Sequence, residues 1–280
     1  MNTEERALEK KRRKILRSEL EIIEELEKNA SKPVSLREKN GKIIYIFIDE
    51  CNIPKIPDSI SSLTSLERLL ISDKNFAHLP ESIGDLLKIR ELTIFSSNIT
   101  TLPYSIGSLR NLKDLTIADS NLRKFPDQIC KLENLQSLDL SRNELISLPE
   151  CIGNLKNLEV MFLNSNLLEE IPKIINHLKK LEKFVLDDNS LNSLPETIGE
   201  MEGLMELYMD NNQLESLPES ISLLTSLRVI GLQNNHLQDF PECIKNLNLT
   251  YANLSGNPIK KYPEKLKRIH LITRGVYDSK

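Results

Sequence analysis

Residues 135–155 read LQSLDLSRNELISLPECIGNL, and this pattern returns along most of the chain. Its copies start at residues 43, 66, 89, 112, 135, 158, 181, 204, 227 and 249. Ten of the thirteen prolines occupy the slot held here by Pro149, at steps of 23 residues with a last step of 22. Internal repetition with this period predicts a solenoid of about ten coils, in which each coil packs only against its neighbours.

The spacing inside one repeat predicts its local structure. Leu138 and Leu140 alternate with polar residues, which is typical of a short strand with one buried face. Pro149 starts a new segment that needs no amide donor. Ile152 and Leu155 are three residues apart, which fits a turn or two of helix. Because one coil cannot bury this many aliphatic residues alone, we expect stacking at roughly 4.8 Å into a continuous core.

Asparagine occupies one slot after the strand in the last six coils: Asn143, Asn166, Asn189, Asn212, Asn235 and Asn257. Its acceptor and two donors predict hydrogen bonds to the backbone of adjacent turns. The first four coils carry Cys51, Lys74, Ser97 and Ser120 there. We expect Lys74 to reach out of the corner, since a buried lysine needs a counter-charge. This difference predicts two sub-blocks, 43–134 and 135–263.

These residues resemble the leucine-rich repeat family, in the 23-residue class with the repeat LPxxIGxLxxLxxLxLxxNxL. That class includes plant intracellular Ras-group proteins and many bacterial proteins, and the Lys- and Ile-rich form here is most similar to bacterial members, including those of pathogenic spirochaetes. The resemblance covers about four-fifths of the chain. It implies an α/β solenoid, a right-handed horseshoe with a parallel sheet on the concave face and short helices or 3₁₀ turns on the convex face. It also implies protein–protein recognition, commonly through the concave face.

The ends of the chain are predicted to cover the solenoid. We assign 1–42 to an N-terminal helical cap, 43–263 to the repeats and 264–280 to a C-terminal cap and tail. Residues 4–28 are predicted to form one helix, with an apolar stripe at helical spacing. The charged start, MNTEERALEKKRRK, lacks the apolar core of a signal peptide, which predicts a cytoplasmic location. Non-classical export or delivery into a host stays open.

Composition excludes several function classes. The net charge of −4 argues against nucleic-acid binding, and no apolar run reaches the roughly 18 residues of a membrane span. The four cysteines are scattered, which favours free thiols in a reducing compartment. Cys130 and Cys151 fall on adjacent outer turns, where they could approach each other.

No catalytic motif is present. The sequence contains no HExxH, CxxC, GxSxG or Gly-rich phosphate loop, so we predict a protein that is not an enzyme and needs no cofactor. Asp187, Asp188 and Asp210 could together hold a cation, but an acidic rim is the preferred interpretation, and we predict no metal site.

Two apolar groups are expected on the concave face, because strand residues between the core leucines point there. The first is predicted to be an exposed cluster with an acidic border and comprises Val160, Phe162, Val185, Tyr208 and Val229 with Asp187, Asp188 and Asp210. The second comprises Tyr45, Phe47, Leu70 and Phe95. Exposed apolar residues with a charged rim are typical of an interaction site, although Val and Phe also simply favour strands. The first strand is apolar on both faces, so either the N-terminal segment or a second molecule is expected to cover it.

The sequence therefore predicts a non-enzymatic protein–protein interaction module that binds its partner on the concave face. A bacterial host-interaction or virulence role is the narrower hypothesis. The acidic border favours a partner with basic residues near an apolar anchor. Two alternatives stay open: a self-associating structural protein, and an adaptor domain that works beside a separate enzyme such as a ubiquitin ligase.

Overall fold

The computed structural model of this chain describes residues 15–245, 247–261 and 270–272. The chain divides between Leu122 and Arg123 into two compact units. The division falls inside the fourth coil, slightly before the boundary that the asparagine slots predict.

Among its described residues, 15–122, the N-terminal unit has one α-helix and a five-stranded sheet. The helix is α1 (Arg17–Glu27), and the strands are β1 (Ser35–Lys39), β2 (Lys42–Asp49), β3 (Arg68–Ser72), β4 (Glu91–Phe95) and β5 (Asp114–Ala118). Strands β2 to β5 pair in parallel, while β1 pairs antiparallel with β2. The turns Asp58–Ser62, Glu81–Asp85 and Tyr104–Ser108 are 3₁₀ helices.

In the described part of the C-terminal unit there are seven parallel strands. They are β6 (Ser137–Asp139), β7 (Val160–Phe162), β8 (Lys183–Val185), β9 (Glu206–Tyr208), β10 (Val229–Gly231), β11 (Tyr251–Asn253) and β12 (His270–Ile272). The 3₁₀ turns between them are Asp127–Lys131, Glu150–Asn154, Lys173–His177, Glu196–Glu200, Glu219–Leu223 and Glu242–Ile244. The predicted solenoid of repeated strands and short outer turns is therefore confirmed in each unit.

The repeat pattern produces one buried layer per coil. Leu138 and Leu140 are fully buried, as the strand alternation predicts. The carbonyl of Pro149 accepts the N–H of Ile152 at 3.1 Å, and the carbonyl of Ile152 accepts the N–H of Leu155 at 3.1 Å. These bonds span three residues, so the outer segment is a 3₁₀ turn. Both Ile152 and Leu155 are fully buried, which closes the coil over the core.

The asparagine slot links each coil of the C-terminal unit to the one before it. The side chain of Asn189 accepts the N–H of Leu168 at 3.0 Å and donates to the carbonyl of Leu163 at 3.0 Å, both in the preceding coil. It also donates to Leu186 in its own coil at 3.0 Å. Four more side chains repeat the two bonds to the preceding coil: Asn166, Asn212, Asn235 and Asn257. The predicted asparagine ladder is confirmed at these five positions, while Asn143 donates to Leu140 and Ser141 in its own coil.

The N-terminal unit replaces this ladder with other groups. Lys74 is exposed, as predicted. Its neighbour Asp73 is 2% exposed and accepts the N–H of Ile53 at 2.9 Å, so a carboxylate does the work of the asparagine oxygen. Ser97 and Ser120 are buried, and their hydroxyl oxygens lie 2.9 Å apart. Asp73 bonds two backbone N–H groups, those of Ile53 and Asn75, where the side chain of Asn189 bonds four backbone groups.

The N-terminal segment lies against the first coil. The carboxylate of Glu19 on α1 accepts the N–H of Ile43 at 2.6 Å, and Ile22, Ile23 and Leu26 are buried. Strand β1 pairs along the edge of β2, so the N-terminal segment covers that edge of the first repeat strand. The predicted helix over 4–28 is helical only from Arg17 within the described residues, since Ile15 and Leu16 are not helical. Residues 1–14, including the predicted start of that helix, lie outside the described residues.

At the other end, most of the predicted cap over 264–280 also lies outside the described residues. The backbone of β12 pairs in parallel with β11 and adds a strand that the repeat pattern does not predict.

Cys130 and Cys151 form a disulfide, with their Cα atoms 5.7 Å apart. The prediction of free thiols is therefore wrong for this pair, although Cys51 and Cys243 are free and buried. In four other coils the Cys130 slot holds glycine (Gly84, Gly107, Gly153 and Gly199), and outer turns pack tightly at Gly84, Gly153 and Gly199. A Cβ on Gly84 would lie 2.6 Å from the Cβ of the residue 21 positions later. Cys130 and Cys151 are also separated by 21 positions, so the disulfide bridges the point where two turns approach.

Replacing one ladder asparagine should destabilise the C-terminal unit. We expect Asn189→Ala to lower the free energy of unfolding by about 2 kcal/mol or more, because it leaves the buried N–H of Leu168 without its acceptor. Urea unfolding measures the change. Asn192→Ala is the matched control, since Asn192 is exposed and three positions away. Equal losses in the two variants would contradict the role of the ladder.

Reduction of the disulfide should also lower stability. The bond joins residues 21 positions apart, and constraining a loop of that size is worth about 3 kcal/mol in the chain-entropy account. We expect dithiothreitol to lower the thermal midpoint of the wild type and to leave the Cys130→Ala/Cys151→Ala variant unchanged. Free thiols at both positions in oxidised protein, found by mass spectrometry, would contradict the bond.

Candidate functional site

The first predicted group lies on the solvent side of the sheet in the C-terminal unit, which we call the sheet face. Phe162, Val185 and Tyr208 lie in register on β7, β8 and β9, one strand apart. A second row two residues earlier contains Val160 and, on β10, Val229. The structure therefore brings all five residues together across four strands, as the repeat spacing predicts.

These residues are less exposed than the sequence suggests. Phe162 and Tyr208 are half-buried, as are Val160 and Val229. Val185 is only 8% exposed, so its assignment to an exposed cluster is wrong. The large rings on the flanking strands explain this burial, because cross-strand neighbours lie close enough to cover a small side chain between them.

Lys183 lies over this row and was not selected in the sequence analysis. Its Nζ atom is 5.1 Å from the ring centroid of Tyr208 and 6.0 Å from that of Phe162. It also forms an ion pair with the carboxylate of Glu206 at 2.8 Å. The hydrogen bond to Glu206 raises the pKa of Lys183, so the amine stays charged. The register of Lys183 opposite Glu206 was the available signal, since opposite charges on neighbouring strands attract.

Tyr208 bonds the same carboxylate oxygen that pairs with Lys183. Its hydroxyl donates to Oε2 of Glu206 at 3.3 Å. Burial raises the pKa of Tyr208, so the hydroxyl keeps its proton and remains a donor. The two rings, Lys183 and Glu206 therefore form one connected polar–aromatic group, which we call the cation cluster.

The acidic border has a partly structural role. Asp187 accepts the backbone N–H of Asp210 at 2.7 Å, and Asp210 accepts that of Gln233 at 2.7 Å. Each carboxylate thus bonds the next coil. Burial raises the pKa of Asp187 to about 6 and also raises that of Asp210.

Asp188 remains exposed beside them, at a positive φ of 55°. It accepts the side-chain amide of Asn211 at 2.8 Å, and Asn211 accepts that of Asn234 at 2.7 Å. Within the described ranges, no group of three or more acidic, histidine or cysteine side chains is arranged to hold a metal ion.

The second predicted group lies on the sheet of the N-terminal unit. Phe47 and Leu70 are in register and half-buried, and Phe95 is 36% exposed. The guanidinium of Arg37 on β1 lies 5.2 Å from the ring centroid of Tyr45 and covers part of it. This group is therefore partly covered by the N-terminal segment.

Comparison with known proteins was made by family and by structure. The family model "Leucine-rich repeat region" matches residues 81–165 and 104–186, and the model "Leucine rich repeat" matches residues 179–237. Comparison with curated protein sequences gives no match. In 15–245, 247–261 and 270–272 no helix has the length and apolar content that crossing a bilayer requires.

Several solved structures are similar. A leucine-rich repeat protein of Leptospira interrogans is 30% identical, with a TM-score of 0.74, over 79% of this chain and 58% of that one. The ectodomain of the Arabidopsis thaliana receptor kinase GASSHO1/SCHENGEN3, in complex with CASPARIAN STRIP INTEGRITY FACTOR 2, is 25% identical, with a TM-score of 0.79, over 92% and 35%. The Arabidopsis HAESA ectodomain, in complex with an extended IDA peptide hormone, is 25% identical, with a TM-score of 0.67, over 80% and 40%. The chain thus spans less than two-thirds of each neighbour.

The pKa of Asp187 gives the C-terminal unit a pH-dependent stability. A carboxyl whose pKa is raised from 3.8 to about 6 on folding stabilises the fold fully below its unfolded pKa, and this contribution is lost as pH rises through 6. Asn keeps the acceptor oxygen without the charge. We therefore expect Asp187→Asn to exceed the wild type in thermal midpoint at pH 7.5, by about 2 °C or more, and to match it near pH 5.

The exposed neighbour supplies the control. Asp188→Asn removes one charge at the next position and should show a smaller difference between the two pH values. A difference between Asp187→Asn and wild type that is constant from pH 5 to 7.5 would contradict the burial of this carboxyl.

Proposed function

This chain belongs to the leucine-rich repeat family, and we propose that it is a non-enzymatic binding module that takes a protein or peptide partner on the sheet face of its C-terminal unit. The contact residues in this proposal are Val160, Phe162, Val185, Asp187, Asp188, Tyr208, Asp210 and Val229. Val185 contributes mainly by supporting the rings on either side of it.

The proposal depends most on one observation: two half-buried rings lie in the same row of the sheet, on β7 and β9, with β8 between them. Phe162 and Tyr208 present aromatic surface on a sheet whose backbone groups are already paired between strands. Only side chains are left for a partner. Rings held in fixed positions lose little conformational entropy on binding, and Tyr is enriched at binding hot spots. The valines on β7 and β10 extend the apolar surface on both sides.

Charge at the border favours a basic partner. Asp188 is exposed, while Asp187 and Asp210 lie beside it and are half-buried. Carboxylates at the edge of an apolar surface attract partners with basic residues and repel acidic ones, and they affect the association rate more than the final affinity. A partner with a basic residue next to an apolar anchor therefore fits this face best.

The similar structures support binding as the function class. Two of them are plant receptor ectodomains in complex with named ligands, one of them a peptide hormone. Their fold likeness extends the same class of function to this chain as a proposal. No motif for catalysis is present in the sequence, so binding alone accounts for the geometry of the face without a reaction step.

We also propose a bacterial origin, supported by the Leptospira interrogans neighbour, and, as a narrower proposal, a role in contact with a host. The Cys130–Cys151 disulfide supports the proposal that the protein functions in an oxidising compartment. This favours export, which the sequence left open, over the cytoplasmic location that it predicted.

Self-association through the N-terminal unit is the second candidate. Phe95, at 36% exposed, favours it, because a ring of this size in solvent is a common contact between copies. Light scattering of the purified chain separates the two functions, since a monomer at all concentrations contradicts self-association. The interpretation as an adaptor beside a separate enzyme requires the same partner-binding face as the main proposal.

Panning a displayed peptide library on the full chain tests the proposal. We expect selected peptides to lose about tenfold or more in affinity for the Phe162→Ala/Tyr208→Ala variant, because two aromatic contacts of about 1 kcal/mol or more are removed. Leu223→Ala is the control, since Leu223 is 62% exposed on an outer turn away from the strands. Peptides that bind both variants as well as they bind wild type would contradict the assignment of this face.

A further inference from the structure

Lys183 occupies a position on the sheet face that a partner's basic side chain would also fit. Its ammonium group lies within 6.0 Å of two ring centroids and 2.8 Å from a carboxylate. The faces of aromatic rings carry partial negative charge, so two rings and one carboxylate converge on a single cation. The chain itself thus shows which chemistry this part of the face accepts.

The parts of the site other than Lys183 hold their places independently. Strand pairing fixes the backbone of Phe162 and Tyr208, and Glu206 is held by the hydroxyl of Tyr208 as well as by the lysine. A second cation could therefore replace the lysine without rebuilding the site. The side chains of Lys183 and Glu206 are each 36% exposed, so solvent and a partner reach both.

We infer that the Phe162–Tyr208–Glu206 site binds an arginine or lysine side chain of an extended polypeptide segment, and that Lys183 occupies this site in the free protein. The inference depends on the proposed function and gives that partner a chemical identity. Lys183 is then an internal competitor. If the protein binds only when Lys183 has left the site, its apparent affinity is the intrinsic affinity multiplied by the fraction of molecules in which the site is open.

The row of strand residues around the site also defines the spacing of the partner. Val160, Lys183, Glu206 and Val229 lie in register on four neighbouring strands. At about 4.8 Å between strands, each valine lies about 7 Å from the midpoint of the ion pair. Two residues of extended chain cover about the same distance, and side chains two apart point the same way. A segment crossing the strands would place apolar residues two positions before and two positions after its basic residue.

Charge complementarity favours this occupant over others. The acidic border of Asp187, Asp188 and Asp210 follows β8 and β9, within five residues of Lys183 and Glu206 along the chain. Removing Lys183 from the site leaves Glu206 without its cation. An incoming arginine restores that charge balance and can bond the carboxylate with two parallel N–H groups, which lysine cannot.

The test uses the full chain and three short peptides. The first is acetyl-Leu-Ser-Arg-Ser-Leu-amide, the second replaces arginine with citrulline, and the third is the rearranged acetyl-Ser-Leu-Arg-Leu-Ser-amide. Binding is followed by the ring NMR signals of Phe162 and Tyr208 in protein labelled at phenylalanine and tyrosine. Citrulline keeps the shape of arginine without its charge, and the third peptide keeps the composition without the spacing.

We expect Lys183→Ala to bind the first peptide about tenfold more tightly than wild type, because the competitor is gone. Lys183→Met should give the same gain while keeping the apolar stem over the rings. The citrulline peptide should show no such gain, and the rearranged peptide should bind several-fold more weakly. Glu206→Gln should weaken binding of the arginine peptide at least fivefold, since the amide keeps its bond to Tyr208 but loses the charge.

Arg142→Asn is the matched control. Arg142 is exposed at a positive φ of 54°, a conformation that asparagine tolerates well, so the variant removes one positive charge from the same unit without disturbing the backbone. A tenfold gain in this variant would show that general charge, and not the site, decides affinity.

The inference is overturned if Lys183→Ala and Lys183→Met bind the arginine peptide no more tightly than wild type, or show no binding at about 10 mM peptide. It is also overturned if citrulline serves as well as arginine. These results leave the proposed function standing when library peptides still require Phe162 and Tyr208. Library peptides that ignore both rings remove the proposed function itself.

Discussion

The bond between each ladder asparagine and the preceding coil is the constraint on which the C-terminal unit depends. A coil of 23 residues makes few internal contacts, so its backbone corner must find partners in the neighbouring coil. Asn189 supplies an acceptor to Leu168 and donors to Leu163 and Leu186, which satisfies three buried backbone groups with one side chain. Aliphatic burial then excludes water from each corner, and the outer turns at Gly153 and Gly199 approach so closely that a Cβ there would clash. Repetition of these contacts fixes the register of the strands in the C-terminal unit.

That register determines what the sheet face can do. Because the backbone is fully engaged between strands, neighbouring side chains lie at fixed separations, and their interactions follow from their order along each row. Val160, Lys183, Glu206 and Val229 form one such row, with a charged pair between two apolar residues. The rings of Phe162 and Tyr208 lie beside it and surround the lysine. A rigid scaffold with a charged, aromatic centre suits recognition of a short segment better than it suits catalysis, which would require convergent acid, base or nucleophilic groups.

Much of this arrangement follows from the sequence, and the exceptions have physical causes. The repeat spacing predicts the ten coils, the rows of the sheet face and the asparagine ladder, because each depends on chain periodicity and on the bonding capacity of one residue type. The contact of Lys183 with two rings is harder to predict, since register places the residues but not their rotamers. Asp73 bonds the preceding coil in place of Lys74, which occupies the asparagine slot. This replacement also depends on side-chain rotamers, which register does not determine. The Cys130–Cys151 bond depends on how closely two outer turns approach, which the glycine slots of other coils indicate only once the stacking is known. Strand β1 carries a mostly charged sequence that predicts no strand by itself.

Amide hydrogen exchange of the C-terminal unit tests the ladder most directly. The N–H groups of Leu145, Leu168, Leu191 and Leu214 lie outside the strands, and each donates to an asparagine oxygen of the next coil. If these bonds hold the coils together, the four amides should exchange as slowly as those of the neighbouring strands and should all accelerate together as the unit opens. Exchange at the rate of exposed loop amides, with the strand amides still protected, would show that the coils stack without the asparagines and would contradict the account.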